Sequence, residues 1–112
     1  MSFNIIPTEK FKKQVKNLYK KYKSILTDIE SLGKELSENY NIGTDLGDNT
    51  FKVRLAIKSK GKGKSGGARI IYFVVKEDSN IYLAAIYDKS EIDTLSDSEI
   101  KKIVSEIKEI LE

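Results

Sequence analysis

At Thr50 the spacing of apolar residues changes, and that change restricts the fold more than anything else in the chain. Before it, apolar residues recur at helical intervals: Phe11, Val15, Leu18 and Tyr22, then Ile25, Ile29, Leu32 and Leu36. After it, in "TFKVRLAIK", Phe51, Val53, Leu55 and Ile57 alternate with Lys52, Arg54, Ala56 and Lys58. Successive side chains of a strand point to opposite faces, so this segment predicts a strand with one core face and one basic face. "ARIIYFVVK" is apolar on both faces and predicts a central strand. "EDSN" predicts a hairpin turn, and "IYLAAIYDK" a returning strand on which Leu83, Ala85, Tyr87 and Lys89 share a face.

The flanks complete the pattern. "SFNII" predicts a short strand ended by Pro7, and Thr8 is placed to cap the first helix. A second helix is expected over residues 24–37, slightly weakened by Gly33, and the two helices form a hairpin. Residues 39–49 are polar and contain glycine, which predicts a loop. Ser96 and Glu99 have the spacing of a capping box, and Ile100, Ile103, Val104, Ile107 and Leu111 form an apolar stripe on a C-terminal helix. The expected order is β-α-α-β-β-β-α: an α+β fold, with a small antiparallel sheet, an N-terminal helical hairpin and a C-terminal helix. A chain of 112 residues predicts a single domain over 1–112.

Composition excludes several chemistries. Cys and His are absent, so there is no disulfide, no thiol nucleophile, no imidazole base and no Cys or His metal site. No metal or cofactor is expected. The start "MSFNIIPTEKF" has neither a basic nor an apolar leader segment, and no apolar run is long enough for a bilayer, so the expectation is a cytoplasmic protein with no membrane partner.

Charge is distributed unevenly. Residues 49–76 hold eight cations (Lys52, Arg54, Lys58, Lys60, Lys62, Lys64, Arg69 and Lys76) and no acid, although the whole chain is only +3. Within this island the stretch "KSKGKGKSGGAR" joins two predicted strands and repels itself. Such a segment is either a solvated hairpin tip or a site for a polyanion such as nucleic acid. It lacks the G-x-x-x-x-G-K-[ST] pattern of a nucleotide-phosphate loop, and its G-x-G does not open a helix. Tyr72 and Tyr87 lie near the basic strand ends. Each is either a core filler or a group able to stack on a base or handle a proton.

Two stretches in order, "FKVRLAIKSKGKGKSGGARIIYFVV" and "IYLAAIYDKSEIDTLSDSEIKKI", resemble the RelE/ParE toxin superfamily, most closely its HigB-like, RelE-type branch. The likeness covers residues 45–102, about half the chain. It implies the toxin of a type II toxin–antitoxin pair, a ribosome-dependent mRNA interferase held silent by a cognate antitoxin and contacting mRNA and rRNA on the ribosome. It implies that Arg69 stabilises the scissile phosphate. Lys89 would occupy a polar strand-end position with Tyr87 beside it, and Lys52, Arg54, Lys58, Lys60, Lys62 and Lys64 would hold RNA or the ribosome. Attack by a ribose 2′-OH needs no metal. It needs geometry, proton donors and acceptors, and cations around the developing charge. Without His the proton roles fall to Tyr, Lys, Asp, Glu or the RNA itself, and Lys64 or Lys89, among other cations, is able to act as base. Several relatives carry an aromatic residue near the C-terminus, whereas this chain ends "IKEILE". Three other readings stay open: a ParE-type inhibitor of DNA gyrase, a basic RNA-binding or partner-docking module without catalysis, and a decayed, inactive toxin.

Overall fold

The computed structural model describes residues 2–61, 63, 66–92 and 95–111. In chain order the elements are β1 (Asn4–Pro7), α1 (Glu9–Lys21), α2 (Ile25–Glu38), β2 (Thr44–Gly47), β3 (Thr50–Leu55), a 3-10 turn (Lys58–Lys60), β4 (Ala68–Val75), β5 (Asn80–Asp88) and α3 (Asp97–Leu111). The α+β order expected from the sequence is present, with one strand more. Among the described residues no helix is long and apolar enough to cross a membrane.

Two of the helices, α1 and α3, start at side-chain caps. The Thr8 side chain accepts from the Phe11 N–H at 3.3 Å. At α3 the capping box is closed in both directions: Ser96 Oγ accepts from the Glu99 N–H, and Glu99 Oε1 accepts from the Ser96 N–H, each at 3.2 Å. α1 buries Phe11, Val15 and Leu18. On α2 the fully buried positions are Ile25, Leu32, Leu36 and, unexpectedly, Asp28, while Ile29 is half-buried.

One sheet carries all five strands in the order β1-β5-β4-β3-β2, with β1 parallel to β5 and the other pairs antiparallel. β4 is central, and both of its faces are buried, Ile70 and Ile71 alike. α1 and α2 cover one face over Ile70, Tyr72, Val74, Ile81 and Leu83. α3 covers part of the other, with Ile103, Val104 and Ile107 on Ile71, Phe73, Ala84 and Ala85. Between α1, α2 and β1 an apolar groove of about 740 Å³ opens to the surface beside Tyr19 and Leu26.

Two expectations are corrected. The supposed loop at residues 39–49 contains β2, joined to β3 by a tight turn in which Asp48 and Asn49 have φ of 55° and 59°. Two left-handed residues in a row are the signature of a turn that matches strand twist. All four residues of β2 are exposed, so no apolar alternation announces it. The second correction concerns β5. Ile71 pairs with Ala85 but Tyr72 pairs with Leu83, so Ala84 is an inserted residue. Leu83 therefore faces α1 and α2 while Ala85 faces α3, so Leu83 does not share the face of Ala85 and Tyr87 as expected.

Candidate functional site

Cross-strand register gathers the predicted cations. Arg54 on β3 stands opposite Arg69 on β4, and Arg69 stands opposite Tyr87 on β5. Directly opposed residues project to the same face. Since Ala68, Ile70 and Tyr72 point toward α1 and α2, this row lies on the face of α3. It crosses the sheet at the end where β3 and β5 finish and β4 begins. Lys52, one pair further along and opposite Ile71, lies on the same face. Arg54 is exposed and Lys52 half-buried. Arg69 and Tyr87 are 7% and 6% exposed. Arg69 donates from Nη1 to the Ala68 carbonyl at 3.1 Å. The Tyr87 hydroxyl is buried with no hydrogen-bond partner among the described residues.

The base of the loop that follows β3 is fixed firmly. Ser24 Oγ accepts from the Ser59 N–H at 2.9 Å and donates to Asp28 Oδ2 at 2.7 Å, and Asp28 Oδ2 accepts from the Lys58 N–H at 3.2 Å. A carboxylate buried on α2 thus seats the 3-10 turn, with the Lys58 side chain left exposed. At the loop's other end Gly67 is required: a Cβ there would lie 2.0 Å from the Leu55 carbonyl oxygen. The Gly67 carbonyl in turn accepts from the Lys89 N–H at 3.1 Å, tying the start of β4 to the turn after β5. Lys89 is half-buried at this junction. Lys62 and Lys64 lie outside the described residues.

Lys60 is placed differently from Lys52, Arg54 and Lys58. Its ammonium donates to Asp88 Oδ1 at 2.6 Å and to Ser90 Oγ at 3.1 Å, and it lies 5.3 Å from the centre of the Tyr22 ring. Asp88 also accepts from the Ser90 N–H at 2.9 Å, from Ser90 Oγ at 2.7 Å and, on Oδ2, from the Tyr22 hydroxyl at 2.8 Å. Burial pushes the Asp88 carboxyl up, but hydrogen bonds from Lys60, Ser90 and Tyr22 outweigh it and hold the group well below the usual carboxylate range. Lys60 therefore ties the loop to the end of β5, on the face opposite the Arg54–Arg69–Tyr87 row. Tyr72 is also structural. It is fully buried, its ring stacks on Phe51 at 5.2 Å, and its hydroxyl donates to the Tyr40 carbonyl at 2.8 Å and accepts from the Gly43 N–H at 3.1 Å. Burial raises its phenol above the ordinary value. No ring face is left for a base.

Sequence reasoning named Arg54, Arg69 and Tyr87, which the register brings into one row, but missed Asp28 and Asp88, the two carboxylates that frame the loop. Asp28 sits three residues after Ile25, on the buried side of its helix, which is a detectable anomaly for an acid. Asp88 offers no such signal, since it closes a strand at its polar end.

The arrangement defines a class: a small α+β domain with arginines and a tyrosine aligned across one sheet end beside a cationic loop. The family model for the RelE toxin of the RelE/RelB toxin–antitoxin system matches residues 4–112, and the chain belongs to that family. Its fold is similar to a doubly substituted variant of the E. coli toxin RelE in the free state (TM-score 0.62, 16% identity, 95% of this chain and 97% of that one). It is also similar to the isolated E. coli RelE toxin (TM-score 0.61, 16% identity, 95% and 99% covered). A third likeness is to the RelBE2 toxin–antitoxin complex from Mycobacterium tuberculosis (TM-score 0.58, 14% identity, 79% and 92% covered). At these identities the structural likeness speaks to fold.

Proposed function

We propose that this RelE-family toxin cleaves mRNA on the ribosome and is neutralised by a cognate antitoxin in the same cell. The observation that carries the reading is the row Arg54–Arg69–Tyr87, three chemically apt side chains in adjacent register positions on one face. A scissile phosphate seated against Arg69, with Arg54 and Lys52 on its flank, meets cations where charge builds as a ribose 2′-OH attacks. Such fixed donors act most strongly where water is excluded, and Arg69 and Tyr87 are both nearly so. Their burial means that the strand end must open as RNA enters. The Tyr87 hydroxyl, buried opposite Arg69 with no hydrogen-bond partner among the described residues, is the group assigned to carry a proton. Lys89 and Lys64 are the alternative bases, with Lys58 and Lys62 holding the RNA backbone and the rRNA. Lys60, committed to Asp88, contributes by holding the loop in place. The antitoxin is inferred from family membership together with the likeness to a toxin–antitoxin complex.

The test is expression without antitoxin. Growth should arrest, primer extension on translated messages should show cuts within codons, and Arg69→Ala should relieve both while the protein still folds. Arrest accompanied by gyrase-linked DNA breaks and intact messages would overturn the reading in favour of a gyrase poison.

A further inference from the structure

β5 carries one residue too many, and the excess falls three positions before Tyr87. Up to Leu83 the odd-numbered side chains enter the core beneath α1 and α2. Past the inserted Ala84 it is Ile86 that does so. Side chains alternate with a period of two, so an unbroken strand would put Tyr87 on the face of Leu83, beneath the helices and away from Arg69. The bulge reverses the phase and delivers Tyr87 to the face of Arg69.

A bulge interrupts the ladder, and its backbone groups must find partners elsewhere. Beside β5 the parallel pairing with β1 ends at Pro7 and Leu83. From there α1 takes over the edge. Thr8 donates to the Leu83 carbonyl from its N–H at 3.1 Å and from its hydroxyl at 3.0 Å. Gln14 Oε1 accepts from the Ile86 N–H at 2.9 Å. Gln14 is half-buried, on the turn of α1 between Phe11 and Val15, both in the core. Its acceptor meets the strand two residues past the insertion, where the reversed alternation begins.

We propose that Gln14 is a positioning residue for cleavage: its side-chain carbonyl fixes the bulge in β5 and so keeps Tyr87 on the Arg69 face. The consequence for cleavage rests on the proposed function, whereas the consequence for strand register does not.

The experiment compares Gln14→Leu, which has no acceptor, with Gln14→Glu, whose carboxylate still accepts from Ile86. Two readouts are taken: single-turnover and steady-state cleavage of ribosome-bound mRNA, and NMR of the free protein. In Q14L, kcat should fall at least about tenfold with KM little changed. The Ile86 amide should exchange faster, and the cross-strand proximity of the Arg69 and Tyr87 amide protons should weaken. Q14E should match the wild type in all of these. Should Q14L not fold, Gln14→Asn, one methylene too short to reach Ile86, takes its place with the same expectations. Wild-type Ile86 protection and an intact Arg69–Tyr87 pairing in the variant that folds would overturn the proposal. So would an unchanged kcat in a variant whose Arg69–Tyr87 pairing is broken. If the wild type cleaves nothing, the functional reading fails, while the NMR comparison still decides whether Gln14 holds the bulge.

Discussion

Removing the Asp88 side chain separates the two halves of the buried ion pair, and the structure sets the size of the loss. Lys60 and Asp88 are 8% and 0% exposed at their side chains. Breaking a buried pair by deleting one partner typically costs about 3–5 kcal/mol, because the other charge is left unpaired. Lys60 sits on a 3-10 turn at the base of a loop, so its long stem can carry the ammonium back to water, which favours the lower end of that range. The Tyr22 hydroxyl and the Ser90 N–H also lose their acceptor. Asp88→Ala should therefore cost about 3–4 kcal/mol, a large fraction of the ~5–15 kcal/mol that holds a domain together. For a domain near 100 residues that lowers Tm by roughly 12–16 °C. Lys60→Met should cost about 3–5 kcal/mol, since it leaves the fully buried carboxylate charged without its cation, holding only its hydrogen bonds from Ser90 and Tyr22. Urea unfolding at pH 7, with a common m-value, measures both. The contribution also depends on pH. Because the folded carboxyl titrates below its unfolded value of about 3.9, its stabilisation is complete above that pH and is lost as pH falls further. The gap between wild type and D88A should thus be constant from pH 5 to 7 and narrow below pH 4. A loss under about 1 kcal/mol for either D88A or K60M would refute the reasoning.

Tyr87→Phe should leave stability unchanged or raise it by up to about 1 kcal/mol, because it removes a buried hydroxyl that has no partner among the described residues, yet it should slow cleavage; thermal melts and single-turnover rates together check the split. Gly67→Ala should destabilise by about 2–3 kcal/mol, read by urea unfolding, since its Cβ would meet the Leu55 carbonyl oxygen. Arg54→Ala and Lys58→Ala should each reduce the slope of log affinity against log salt by about 0.7 if each side chain holds one phosphate of single-stranded RNA, measured by titration of a labelled oligonucleotide.

The elements legible in the sequence are those whose burial follows a simple period. α1, α3 and β4 fall in that group, with stripes or runs that leave one arrangement, and the caps at Thr8 and Ser96 mark two of the starts. β2 is exposed along its whole length, so hydrophobic patterning carries no trace of it. The site was half legible. Arg54 follows from strand alternation on β3, whereas Arg69 was marked by the family resemblance, on a strand apolar on both faces. The two meet because β3 and β4 pair without a bulge between them. Tyr87 is a different matter. Period two from Leu83 assigns it to the wrong face, and its place beside Arg69 depends on one inserted alanine and a glutamine from a distant helix. Lys60 looked equivalent to its neighbours because composition does not say which lysine a buried carboxylate will claim. Charge pattern identifies an electrostatic island, and only tertiary contacts separate Lys60, paired with a buried carboxylate, from the exposed Arg54 and Lys58.

Single-turnover cleavage of an mRNA seated in the A site of purified ribosomes, with a ribose or a 2′-deoxyribose at the cut position, tests the central claim most directly. Wild-type protein should cut the ribose substrate and leave the deoxy substrate intact, and Arg69→Ala should slow the cut by about 10²–10³-fold. Equal cutting of both substrates, or an unchanged rate for R69A, would contradict the account.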